Sequence, residues 1–125
     1  MPLWLALLGD HARLPLLPAP VVWHAHELIF GFAAAAVAGF LLTAIPNWTG
    51  RMPLQNGPLA ALAGLWAAGR LAMLVSGVLG AGLTAAADLA FPAVFLAVIA
   101  REIVAGRNFR NLPMLAALGL LLAGN

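Results

Sequence analysis

Chemistry in this chain is concentrated at His24, His26 and Glu27, in the stretch "WHAHELIFGF" that opens a long apolar run. Neutral imidazole suits iron, copper and zinc, whereas magnesium and calcium prefer oxygen donors. Two histidines at i and i+2 admit two geometries. On a helix they point about 200° apart, so each faces a different centre. In extended chain they project to the same side and can share one ion. Pro20 holds the chain non-helical until about Val21, so the motif straddles a boundary where both geometries are open. Glu27 can accept the second N–H of a ligating imidazole and so fix its orientation. The plainer reading makes these interfacial histidines, hydrogen-bonded to headgroups and to Glu27.

Neighbouring motifs narrow the chemistry. A zinc-protease H-E-x-x-H beginning at His26 fails, because Phe30 occupies the second histidine's place. His11 lies beside Asp10 in the proline-rich "GDHARLPLLPAP" and reads as a solvated loop residue. "NWT" at Asn47 matches a glycosylation sequon by chance, since it falls on the side expected to face the cytoplasm. Nothing supports a hydrolase, kinase or nucleotide-binding reading. There is no G-x-S-x-G, no Walker lysine, and no G-x-G-x-x-G behind a strand.

Two further ionisable residues interrupt apolar runs. Arg70 sits roughly 13 Å below the outer end of its predicted helix, where an unpaired charge costs at least ~2.5 kcal/mol. Asp88 falls at matching depth across a turn near Leu79. An Arg70–Asp88 ion pair is therefore expected, with Glu27 as the competing partner. Pro92 removes the N–H that would bond the Asp88 carbonyl, so a bend is expected there. A plain proline kink accounts for that bend without a designed polar site.

The elements that carry these residues belong in a membrane. Of 125 residues, 64% are hydrophobic and 8% charged. A soluble domain carries roughly 25% charged residues. Too few charges remain to build a water-facing surface, so the lipid bilayer is the expected solvent and partner. The absence of cysteine excludes disulfides, zinc–thiolate sites and iron–sulfur clusters on protein thiolates. Arginines spread singly, with a formal charge of only +2, leave no nucleic-acid footprint. The opening residues lack a basic region and an A-x-A-like cleavage site, so no signal peptide is expected there.

Periodicity and breakers predict an all-α, polytopic transmembrane helical bundle, a single transmembrane domain over residues 1–125. Full spans are expected at about 21–45, 58–79 and 83–104, with partial helices at about 1–9 and 112–125. The first reaches about 37 Å, enough to cross a ~30 Å hydrocarbon core with some tilt. Pro46 is expected to stop it. The partial helices are too short to cross alone. They predict a piece of a longer protein, completed by its remaining helices or by a homo-oligomer. Arg51, Arg101, Arg107 and Arg110 against Arg13 place that arginine-rich side in the cytoplasm and "WHAHE" on the outer face. Trp23 and Trp48 bracket the first span as interfacial aromatics. Glu27, Gly31, Ala35, Gly39 and Thr43 form a row of mostly small residues at four-residue spacing, expected to be a helix-packing seam.

Taken together, "WHAHELIFGFAAAAVAGFLLTAIPNWTGR", "PLAALAGLWAAGRLA" and "GRNFRNLP" resemble the beginning of the NnrS family of bacterial membrane proteins. Family members commonly read H-E-M-L-F-G, where this chain has Leu28 and Ile29. They are also far longer, with many more spans. The resemblance implies a multi-pass protein of the bacterial inner membrane that binds haem and copper. It implies a role in nitric oxide metabolism or protection from nitrosative stress. Carried over residue by residue, it puts weight on His24 and His26 as haem or metal ligands. It also makes Arg70 a cofactor-binding residue, able to hold a haem propionate instead of Asp88. Glu27 and Asp88 are then the supporting polar groups. Two other readings stand beside it. One is a transport or channel module with Glu27, Arg70 and Asp88 along a polar path. The other is a structural fragment whose charges merely satisfy one another.

Overall fold

The structure, a computed structural model, describes residues 20–125. The partial helix expected over 1–9 and the loop carrying Asp10, His11 and Arg13 lie outside the described residues. Helix α1 (Pro20–His26) runs through a π-helical segment (Glu27–Ala33) into α2 (Ala34–Thr49). Helix α3 (Asn56–Leu74) follows, then the single turn α4 (Ser76–Leu79) and the long α5 (Ala81–Ala105). A 3₁₀ turn (Phe109–Asn111) leads into α6 (Leu112–Gly124). Among the described residues there is no strand. Val21–Thr49, Asn56–Leu74 and Ala81–Ala105 are each long and apolar enough to cross a membrane. The fold is the transmembrane helical bundle that the composition demands.

Several boundaries depart from the spacing. Pro46 does not stop the first helix, which continues to Thr49. A proline removes only its own donor, and side chains reinforce these last turns. Thr43 Oγ1 donates to the Phe40 carbonyl at 2.8 Å, and Thr49 Oγ1 donates to that of Ile45 at 2.9 Å. The stop is Gly50, left-handed at φ 67°, whose N–H closes on the Pro46 carbonyl at 2.9 Å. The second span breaks at Val75 (φ −109°, ψ 23°) rather than running to Leu79, which leaves α4 as a separate turn. Gly80, at φ 79° and ψ 157°, then supplies a backbone conformation open only to glycine. The third span runs through Pro92 as one helix.

Helix α5 is the spine. It packs along α3, against α2 and against α6. Its buried stripe is Thr84, Asp88, Phe91, Phe95, Ile99 and Ile103, and the core around it takes Leu41 and Ile45 from α2, Leu62 from α3 and Leu118 from α6. The expected small-residue seam holds only at its start. Gly31 is buried, but the face then follows Ala34, Ala38, Leu41 and Ile45, leaving Gly39 and Thr43 exposed. A step of four residues overshoots a 3.6-residue turn by about 40°, so the row winds off the packed face. At the arginine-rich end the first and third spans are fastened together. Arg51 Nε meets Glu102 Oε2 at 2.6 Å, and Asn108 Nδ2 donates to the Trp48 carbonyl at 3.0 Å.

Candidate functional site

At the opposite end, local backbone features make room for a polar cluster. The wide turn over Glu27–Ala33 sends the Ala34 N–H back to the Ile29 carbonyl, five residues earlier. Within it the Gly31 carbonyl accepts the Trp66 indole N–H at 3.0 Å, which ties α3 to the first span. Gly31 also lets a side chain cross above it. A Cβ there would lie 2.9 Å from Arg70 Nη1 and 3.0 Å from Glu27 Oε2. Gly69 plays the matching part between α3 and α5. Its Cβ would meet the Ala87 carbonyl oxygen and Asp88 Cα, each at 3.2 Å. Two glycines thus bring three helices close enough for one guanidinium to bridge them.

Arg70 is that bridge. Its Nη1 donates to Glu27 Oε1 at 2.9 Å, and its Nη2 donates to Asp88 Oδ1. The anticipated Arg70–Asp88 pair is present, and Glu27 shares the guanidinium rather than competing for it. Asp88 is the more deeply placed carboxylate, its side chain only 4% exposed against 20% for Glu27. Its second oxygen, Oδ2, accepts from Asn125 Nδ2 at 2.9 Å and faces His26 Nε2 at 3.1 Å. A carboxylate so deeply buried is tolerable because each oxygen has a donor.

The same contacts orient one imidazole. Asn125 turns its amino group to Asp88, so its Oδ1 faces His26 Nε2, at 2.7 Å. An acceptor there requires a proton on Nε2. Nδ1 is buried without a hydrogen-bond partner, 3.9 Å from Glu27 Oε1, and the Phe30 ring lies 4.9 Å from the imidazole. The Trp23 indole nitrogen and Arg70 Nε are likewise buried without partners.

His24 and His26 both lie on helical backbone in α1. The extended geometry, in which they share one ion, is therefore not the one adopted; two positions apart on a helix, they diverge. Among the described residues, no three His, Asp or Glu side chains gather into a metal-binding group. What the cluster offers is one oriented imidazole whose Nδ1 makes no hydrogen bond. Metal-ligating histidines are commonly held in this way, through the other ring N–H and a carboxylate.

Spacing along the sequence brought Glu27, Arg70, Asp88 and His26 into view. It missed Asn125, Trp66 and Gly69, and placed Gly31 in a packing seam. Asn125 ends an apolar stretch and has no polar neighbour to flag it; only the return of α6 along α5 brings it to His26. Gly69 directly precedes the buried arginine, and that adjacency was the one usable signal.

The sequence matches the NnrS protein family over residues 1–125. No curated protein and no solved structure matches it.

Proposed function

The chain belongs to the NnrS family, and on that premise we propose that it is a multi-pass protein of the bacterial inner membrane, part of a haem- and copper-binding system. Its role in this reading is nitric oxide metabolism or protection from nitrosative stress. The observation that supports it is the uncommitted Nδ1 of His26, on a ring whose Nε2–H is directed to Asp88 and Asn125. That arrangement fits a single imidazole ligand. Bound haem iron or copper would supply coordination or redox chemistry toward a small gas molecule.

The chain's own residues supply the setting. Asp88 and Asn125 orient the His26 ring, and Arg70 pairs with Asp88 and Glu27 at once. His24, two positions earlier on α1, presents its imidazole to a different direction, which suits a second centre. Arg70 already gives one N–H from each terminal nitrogen to a carboxylate, so a haem propionate would have to share the guanidinium with Glu27 and Asp88. The transport or channel reading would need Glu27, Arg70 and Asp88 along an open path, whereas here they hold one another.

Absorption spectra and metal analysis of the detergent-purified protein test this. The expected result is a Soret band and bound copper. One of the two signals should be lost in His26→Ala, and the other should be affected by His24→Ala. Asp88→Asn should shift the His26-dependent signal without abolishing it. Haem and copper contents unchanged in both histidine variants would overturn the assignment.

A further inference from the structure

The first two membrane-spanning helices are tied at one end and part at the other. The Trp66–Gly31 and Arg70–Glu27 contacts hold α3 to the π-helical turn. Toward the arginine-rich end, among the described residues, a cleft opens between α2 and α3. Its outer part has a volume of about 850 Å³ and is bordered by Thr43, Asn47, Arg51 and Leu59. Through Gly39, Leu42 and Leu59 it continues into a narrower part of about 190 Å³, reaching Trp66 and Phe91. From Gly50 to Ala35 the helix rises about 22 Å, more than half of a ~30 Å hydrocarbon core. The cleft thus covers the depth of one leaflet.

Its two ends differ in chemistry. The inner end is apolar. At the mouth, Arg51 stands beside Asn47 with its Nε paired to Glu102 and its side chain still 39% exposed, and the exposed Trp48 marks the headgroup level. Arg101, Arg107 and Arg110 are exposed near the same end of the bundle, where Glu102 is the acid beside them. The volume falls toward the apolar end, from about 850 to about 190 Å³, which suits a single hydrocarbon chain. We propose that this cleft is a binding site for one anionic glycerophospholipid. One acyl chain lies between α2 and α3, and the phosphate sits at the Arg51 mouth.

Gly39 gives a direct test, because a Cβ there meets nothing within 4 Å. Phenylalanine at this position should fill the cleft without disturbing the fold. The protein is reconstituted in vesicles of phosphatidylglycerol and phosphatidylethanolamine, extracted in mild detergent, and weighed by native mass spectrometry. The expected result is one retained phosphatidylglycerol per chain, with retention lowered roughly tenfold in Gly39→Phe. Arg51→Gln should keep a lipid but lose the preference for phosphatidylglycerol. Since the chain has no cysteine, Gly39→Cys carries a single thiol that can be capped with a bulky maleimide after folding. Capping should reproduce the loss even if the phenylalanine variant folds poorly. No retained lipid, or equal retention after Gly39 is blocked, would overturn the site. So would a disulfide-linked dimer of Gly39→Cys, which would put a second copy in the cleft. Haem content reads separately, so failure here is distinguishable from failure of the functional assignment.

Discussion

Arg70 stands between two carboxylates, and its removal strands both. Breaking a buried ion pair by deleting one partner costs about 3–5 kcal/mol. Arg70→Met should therefore be the most damaging change, since Glu27 and Asp88 would face each other with no cation between them. Asp88→Asn should come next, because it weakens the links to Arg70, His26 and Asn125 at a nearly closed position. Glu27→Gln should be mildest, at the more open side chain. The triple variant Glu27→Gln/Arg70→Met/Asp88→Asn should recover part of the stability that Arg70→Met loses. Thermal melting in detergent measures the order, and a triple variant no better than Arg70→Met would refute it. Depth made Arg70 and Asp88 legible, since a charge inside a membrane must find a partner. Asn125 was not legible, because its role depends on how α6 returns along α5.

Between helices, the decisive position is Gly69. It lets the backbones of α3 and α5 come together where Arg70 and Asp88 meet, and the groups it faces belong largely to the main chain. Gly69→Val should destabilise by about 1–3 kcal/mol, as overpacking does. Gly64→Val on the same helix, where a Cβ meets nothing within 4 Å, should be close to neutral. Equal denaturation midpoints for the two would contradict this account of how α3 and α5 approach. Span identities were readable because their apolar length matches a bilayer, but their ends were not. Pro46 looked like a terminator, yet a helix survives one missing donor near its end, and Gly50 stops it instead. The small-residue row failed beyond Gly31, because strict four-residue spacing does not follow one face of a 3.6-residue helix.

At the largest scale, the described residues form two separate polar clusters at the two ends of the bundle. One holds the Arg51–Glu102 pair and the Trp48–Asn108 bond; the other holds the His26–Asp88–Arg70–Glu27 cluster. With the arginine-rich end cytoplasmic, Val78→Cys should react with a membrane-impermeant maleimide added outside spheroplasts. Met52→Cys should react only after the membrane is opened; both side chains are well exposed. The reverse pattern would invert the topology. Composition alone pointed to helices long and apolar enough to cross a membrane, but it could not show that α5 is the spine.

The His26–Asn125 contact joins positions 99 residues apart. During synthesis, His26, Arg70 and Asp88 leave the ribosome before Asn125 does. The carboxamide clasp on the imidazole can therefore close only after α6 has been made and has returned along α5, which makes it a reporter of that return.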